Sequence, residues 1–461
     1  MELRNYITTD KMLSPTRNIY TIFVFFITGF PLVTAYSQQE VALSDSVQIQ
    51  QKLEKYKQDV EKNPHDTVAY YNWGLVLGKL GRPEEAIEKF KKAVELNPEY
   101  AKAYYDWGVA LRKLERYEDA IEKLQKAVEI NPKHAHSYHN WAWCLEKLGR
   151  YDEAIEKYKK VIEINPKDIE AYLNWGLALA KFGKVNEAIE KFKKTVEINR
   201  NDSRAYFNWG SALHKLGMYE EEIKMYPKVL EINPKDADAY FRWGLALGNL
   251  GKHEESIKKY QRALEINPVL AEAYHYWGIS LGSLGRNEQA LEKLKKAIEI
   301  NPNDADAFYS CGLVFSQLGQ FEEAIDNFKN AVEINSEYLD AYFGWGWALS
   351  KLGRYEEEPE KYQKCLDINP KYVEAYLNWG LALENLKRYE EATEKYRKAV
   401  EINKNFAEAY ANWGSALWSL GKLKEAKKKY KIAIKLFREQ KNEKEAQVGE
   451  ANLKKLEAES K

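Results

Sequence analysis

Residues 67–100 read TVAYYNWGLVLGKLGRPEEAIEKFKKAVELNPEY, and the chain repeats this stretch every 34 residues. The step runs through Trp73, Trp107, Trp141, Trp175, Trp209, Trp243 and Trp277, passes Cys311 where Trp is due, and resumes at Trp345, Trp379 and Trp413. Eleven in-phase copies follow one another from 67–100 to 407–440 with no insertion. A fixed period in this range marks an architecture of stacked repeats. Inside the unit the apolar period is helical, because Tyr70, Trp73, Gly74 and Leu77 fall at i, i+3, i+4 and i+7. Gly81 can take the left-handed turn that ends a helix, and Pro83 suits a helix start, where a missing N–H costs nothing. Ala86, Ile87, Phe90, Ala93 and Val94 form a second apolar stripe, closed by Asn97-Pro98. Each unit is therefore a helix, a tight turn, a second helix and another tight turn. Gly74 and Ala86 are small where the two helices must approach, and the aromatics at 70, 73 and 90 supply the buried area.

Repeat 1, through Trp73-Gly74, Leu77, Gly81, Ala86, Phe90, Ala93 and Pro98, resembles the tetratricopeptide repeat (TPR) family. The resemblance covers 67–440, and departs in placing Trp before the first-helix glycine, where the family more often has Leu. It implies an all-α, right-handed superhelical solenoid of antiparallel helix pairs, first helices lining a concave groove and second helices outside.

Outside the repeats, residues 19–33 (IYTIFVFFITGFPLV) are apolar, Arg4, Lys11 and Arg17 precede them, and Ala35-Tyr36-Ser37 offers small residues for cleavage. This is the layout of a secretory signal peptide over 1–37. The apolar run is short for a membrane span, which leaves an uncleaved anchor through 19–36 as the alternative. Met12 is a candidate start that gives a tighter basic lead. An exported protein, periplasmic or extracellular, is expected. Residues 38–66 then read as an N-terminal capping helix and 441–461 as a C-terminal one, as stacked repeats require.

Seventy basic and seventy acidic residues cancel, which argues against a nucleic-acid groove. The Glu and Lys runs fall at helical spacing on outer faces, where i,i+4 pairing accounts for them. Cys144, Cys311 and Cys365 stand in core slots of repeats too far apart to touch, so they read as small buried hydrophobes. His134, His136 and His139 cluster in repeat 3, but no Cys, Asp or Glu completes a ligand set; neither metal nor cofactor is expected.

In the family's geometry the positions two before, two after and five after the repeat Trp face the groove. Two before stand Tyr71, Tyr105, His139, Phe207 and Phe241, among others, and the row two after is mostly apolar. A solvent face would not normally be so. Of thirteen tryptophans, Trp143, Trp347 and Trp418 lie outside the repeat register, and all three fall on these positions, where aromatic anchors act as recognition hot spots. Immediately before the repeat Trp stand Asn72, Asn140, Asn174, Asn208, Asn378 and Asn412, but Arg242, Tyr276, Ser310 and Gly344 in the middle. The long TPR superhelix of the O-linked N-acetylglucosamine transferases has an asparagine ladder at this slot that holds peptide backbone; an amide can both donate to C=O and accept from N–H. Asparagine as a surface residue spread by duplication is the equal alternative. The family's carboxylate clamp is matched only in part, its slot holding Val68, Lys102, His136, Glu170 and Arg204.

Two repeats break the pattern. Repeat 5 has Glu222 where most units have Ala, and Pro227 inside the second helix; repeat 9 has Glu358 at the same slot and Pro359 in the first turn. The chain is expected to open most easily around 217–236, with Glu222 turned outward or protonated. The resemblance implies a non-catalytic scaffold that binds an extended peptide or partner protein. The alternatives are a self-assembling structural protein and a non-catalytic subunit of an envelope enzyme complex.

Overall fold

The computed structural model describes residues 48–459, and among these every regular element is a helix. The signal or anchor segment and residues 38–47 of the expected N-terminal cap lie outside the described residues. The chain forms two compact units, the first running to Arg150 and the second from Tyr151.

In the first unit residues 48–62 form α1, followed by α2 (Thr67–Lys79), α3 (Pro83–Leu96), α4 (Ala101–Lys113), α5 (Tyr117–Ile130) and α6 (Ala135–Lys147). Leu53 and Val60 of α1 are buried. Each helix packs on the next, α2 on α3, α3 on α4, α4 on α5 and α5 on α6.

The second unit begins with α7 (Tyr151–Ile164), α8 (Ile169–Lys181), α9 (Val185–Ile198), α10 (Ser203–Lys215), α11 (Tyr219–Glu222) and α12 (Met225–Ile232). It goes on through α13 (Ala237–Asn249), α14 (His253–Ile266), α15 (Ala271–Ser283), α16 (Asn287–Ile300), α17 (Ala305–Gln317) and α18 (Phe321–Ile334). It ends with α19 (Leu339–Lys351), α20 (Glu358–Ile368), α21 (Val373–Asn385), α22 (Tyr389–Ile402), α23 (Ala407–Ser419), α24 (Leu423–Glu439) and α25 (Glu443–Glu459). No helix among the described residues is long and apolar enough to cross a membrane.

The repeat chemistry explains these boundaries. The first helix ends where Gly81 takes φ +72°, and the Arg82 N–H then donates back to the Leu77 carbonyl at 3.0 Å, closing the helix end. Glu115, Lys387 and Lys441 take the same left-handed turn at φ 58–59°, at a steric cost of about 1 kcal/mol each. Pro83 is the first residue of α3. In the Asn-Pro turn the Asn97 side-chain Oδ1 accepts the Glu99 N–H at 3.1 Å, so the asparagine builds an Asx turn beside the helix-stopping proline. Asp66, Asp168, Asp202, Asp236 and Asp304 then cap the next helix through their carboxylates.

Glycine after the repeat Trp lets a second-helix ring lie on the first-helix backbone. A Cβ at Gly74 would stand 2.5 Å from Phe90, a ring that is 2 % exposed and whose burial contributes roughly 1.5–3 kcal/mol. Eight repeat tryptophans carry on one face the ammonium of the lysine sixteen residues later. The pairs Lys89–Trp73, Lys123–Trp107, Lys191–Trp175 and Lys259–Trp243 lie 3.5–4.5 Å from nitrogen to ring centre. Lys293–Trp277, Lys361–Trp345, Lys395–Trp379 and Lys429–Trp413 lie at 3.2–4.6 Å. The three cysteines are buried free thiols, and burial pushes each up to about 12.

Repeats 5 and 9 depart as their prolines require, but by different means. The second helix of repeat 5 is broken into α11 and α12, so Pro227 falls in the first turn of α12, where an N–H has no intrahelical partner to lose. In repeat 9, residues 355–357 form a turn instead of the first helical turn, and α20 starts at Glu358 with Pro359 beside it. Of the two expectations for Glu222, turned outward or protonated, the first is corrected. The side chain is fully buried, its Oε2 2.9 Å from His214 Nδ1 and its Oε1 accepting the Tyr226 hydroxyl at 2.8 Å. The local partners, not exposure, satisfy the carboxylate.

Candidate functional site

The first helices carry the residues singled out above, and the structure divides them into packed, bridged and open. The row two before the repeat Trp is mostly packed. Tyr71 lies between Phe90 and Tyr100, with ring centres 6.0 and 5.0 Å away. Phe207 meets Tyr226 edge-on at 6.1 Å, and Phe241, 9 % exposed, packs on Tyr260 and Tyr276. Tyr105 sits edge-on to His134 at 4.8 Å. His139 is half-buried on α6. Phe207 and Phe241 thus serve the joints between helices, since an apolar ring next to a second-helix ring gains more by burial than by facing water.

Bridging is the feature that reading single repeats missed. The residue two before one repeat Trp bonds to the residue just before the next. The Tyr71 hydroxyl donates to Asp106 Oδ2 at 2.8 Å, Asn140 Nδ2 donates to the Tyr105 hydroxyl at 3.4 Å, and His275 Nε2 meets Ser310 Oγ at 2.9 Å. Each rung spans 35 residues, one period plus one, which is the signal that could have found it. Asp106 stands at the asparagine slot, and burial raises its pKa from the ordinary carboxylate range against the lowering effect of the Tyr71 bond. Desolvation likewise lowers the pKa of buried His275, although Asp304 and Asp306 pull the other way.

The asparagines themselves are half-buried at 72, 140, 174, 208, 378 and 412. Asn140 and Asn208 also donate to carbonyls of their own helices, those of His136 at 2.9 Å and Arg204 at 2.8 Å. Both amide N–H groups of Asn140 and one of Asn208 are thereby engaged, while the side-chain oxygen remains the natural acceptor for an incoming N–H. At the clamp slot, Arg204 pairs with Glu170 of the preceding repeat and with Asp202. Its guanidinium is spent inside the protein.

The three extra tryptophans differ. Trp143 has Arg112 and Lys147 at 4.8 and 5.0 Å from its ring centre and meets Tyr117 edge-on. Trp347 has the same kind of neighbours, Lys351 at 5.1 Å and the Phe321 edge at 5.7 Å, and is 36 % exposed. Trp418 is corrected as an open anchor. It packs with Leu453 and Leu456 of α25, and its indole N–H donates to Glu459 at 2.7 Å. The C-terminal helix thus takes up part of its surface.

The open part of this face lies where the asparagines give out. Over α15, α17 and α19 two adjoining hollows, about 410 and 520 Å³, share Tyr309, Leu313 and Gln317. The first reaches Tyr276, Ile279 and Ser310, and the second Phe343, Gly344 and Trp347. Ile279 and Leu313 are 38 and 41 % exposed. Asp306 stands in the first hollow and Asp340 in the second, with Asp306 accepting the Tyr338 hydroxyl at 2.6 Å. Gly344 keeps the slot short, because a Cβ there would lie 2.8 Å from Phe328. Among the described residues no group of His, Cys, Asp and Glu is placed to hold a metal ion.

Comparison with known proteins places the repeats. Tetratricopeptide-repeat models match residues 67–100, 99–167, 145–208, 210–251 and 237–268. They match again at 278–319, 312–353, 339–372, 361–394, 385–421 and 407–440. No curated protein matches. Among solved structures, YrrB, described as a TPR protein with an unusual peptide-binding site, is 27 % identical over 41 % of this chain and 96 % of its own, with TM-score 0.35. Yeast Tom70 is 14 % identical over 86 % and 96 %, with TM-score 0.40. The C-terminal part of a TPR repeat-containing protein from Cytophaga hutchinsonii is 18 % identical over 52 % and 98 %, with TM-score 0.45. With the 34-residue helix pairs, the glycine–ring contact and family matches reaching from residue 67 to 440, the chain belongs to the tetratricopeptide repeat family.

Proposed function

We propose that the protein is a non-catalytic interaction scaffold that holds an extended segment of a partner protein on the first helices of repeats 7–9. The carrying observation is the pair of adjoining apolar hollows about Tyr309 and Leu313, with Trp347 at one end and Ile279 at the other. Large side chains left at more than a third exposure around a recess are what a partner's apolar residues desolvate. Two hollows separated by one helix suit two bulky side chains of one segment. Asp306 and Asp340 favour a basic residue beside them. Asn378 of repeat 10 on one side, and on the other Asn208 of repeat 5 beyond Arg242 of repeat 6, would then hold the segment's backbone.

A random peptide library displayed on phage and panned on the full chain tests this. Selected peptides should share two bulky apolar residues and lose at least ten-fold in affinity for Leu313→Asp and for Trp347→Ala, while Trp143→Ala and Trp418→Phe change little. Peptides indifferent to both Leu313 and Trp347 would overturn the reading.

We further propose that the scaffold is exported, on the basic lead, apolar run and small residues of 1–37. N-terminal sequencing of protein from its native host should find the mature chain starting near Gln38; a start at Met1 or Met12 means an anchor or no export.

A further inference from the structure

Repeat 5 lacks the lysine that lies over the repeat Trp elsewhere. Sixteen residues after Trp209 stands Met225, at the start of α12 where the second helix resumes after its break. The Trp209 ring consequently lines an open hollow of about 450 Å³ on the side of the second helices, walled by Leu213, Met218 and Met225. Met218 is 39 % exposed. Charged groups stand at the mouth on two sides, α10 contributing only Trp209 and Leu213. From α9 come Glu187, Glu190 and Lys193, and from the α11–α12 side Glu221 and Lys224. Lys193 approaches the Trp209 ring only to 5.6 Å and is held by Glu190 at 2.8 Å; Glu187 faces Lys184 at 3.7 Å. The Glu221 carboxylate is outside every ion pair found among the described residues.

The other repeats show what such a ring binds. Over Trp243 the Lys259 ammonium lies 3.5 Å from the ring centre. In repeat 8 both partners change together, Cys311 for the Trp and Asn327 for the lysine. Repeat 5 alone keeps the ring and gives up the lysine. We propose that the Trp209 hollow is a receptor for a lysine side chain of a partner polypeptide, which takes the ring face that Lys259 takes on Trp243. The two thioethers and Leu213 suit its four-carbon stem, being soft and adaptable in shape. Glu221 supplies the balancing charge. This site is separate from the one on the first helices and stands or falls independently of it.

The test uses the full chain labelled with 5-fluorotryptophan, the Trp209 fluorine resonance being assigned by its loss in Trp209→Phe. The probes are N-acetyl-lysine methylamide and its neutral counterpart N-acetyl-norleucine methylamide. A saturable shift of the Trp209 signal is expected with the lysine probe, at least five-fold tighter than with norleucine. Met225→Lys should fill the site from within, abolishing the saturable shift. Glu221→Gln should weaken the lysine probe several-fold and leave the norleucine probe unchanged. Equal binding of both probes, binding that survives Met225→Lys together with indifference to Glu221→Gln, or no saturable shift at Trp209 would overturn the proposal.

Discussion

Repeats 5 and 6 are neighbours with first helices of equal length and different second ones. In repeat 6, α14 is unbroken, Ser256 shares a hydrogen bond with Ser280 at 2.9 Å, and Lys259 covers Trp243. In repeat 5 the same three places hold Glu222, Pro227 in place of Gln261, and Met225. The helix breaks, the carboxylate turns inward to His214 and Tyr226, and Trp209 opens. These changes support one another. A break places Pro227 where it costs no hydrogen bond, and the buried carboxylate joins the two helices across the gap. A single tolerated defect would have left one of the three unexplained.

The largest expected effect comes from removing what satisfies Glu222. His214→Ala combined with Tyr226→Phe should lower the local opening free energy of repeat 5, read by amide hydrogen exchange over 219–232, by about 3 kcal/mol, because a buried polar group then lacks its partners. Tyr260→Phe in repeat 6 should cost about 1 kcal/mol or less over 253–266. Equal losses would dissolve the contrast.

Repair is the next test. Replacing Glu222, Met225 and Pro227 by Ala, Lys and Gln should give one continuous second helix. Protection over 217–236 should rise by roughly 2–3 kcal/mol, the scale of a proline lesion. In the native chain these amides should exchange faster than those of 253–266; exchange no faster than in the neighbours would remove repeat 5 as the place where the stack opens.

Repeat 9 sharpens the comparison through pH. Glu358 occupies the slot of Glu222, but Ser350 stands where repeat 5 has His214. Burial pushes Glu358 up to about 7, against the opposing hydrogen bonds of Tyr362 and Ser350, and Glu384 is likewise pushed up to about 7. Because the folded values lie above the unfolded one, the folded state binds more protons between pH 4.5 and 7. Their contribution is present in full below that window and is lost as pH rises through it. Glu358→Gln with Glu384→Gln should flatten the fall in stability between pH 5 and pH 8 by about 2 kcal/mol in urea unfolding.

The smallest effect tests the lysine lids. Lys395→Met gives repeat 10 the arrangement of repeat 5 without its break. The loss should be about 0.5–1 kcal/mol, with the Trp379 fluorine signal moving toward that of Trp209. No movement would mean that the break, and not the missing lysine, opens the ring.

The fold was legible because its determinants lie within one period. Trp-Gly for close approach, the left-handed Gly81 and the Asn-Pro stop can each be read from residues 67–100 alone. The candidate site was less so. Trp143, Trp347 and Trp418 could all be found by counting against the repeat register, but Trp418 packs beside α25, which belongs to no repeat. Glu222 looked like a misfit because its partner His214 is eight residues back on another helix. The rungs from Tyr71 to Asp106 and from His275 to Ser310 need two repeats read together.

Those rungs also set what the chain permits to be cut and rejoined. Deleting residues 101–134 would preserve the helix period, yet bring Tyr71 opposite Asn140 in place of Asp106. Deleting 271–304 would set Phe241 against Ser310 and leave its hydroxyl without the His275 nitrogen. Units alike enough to be exchanged by backbone geometry are thus addressed to particular neighbours by one pair of polar atoms, and their order along the chain is itself a folded-state property.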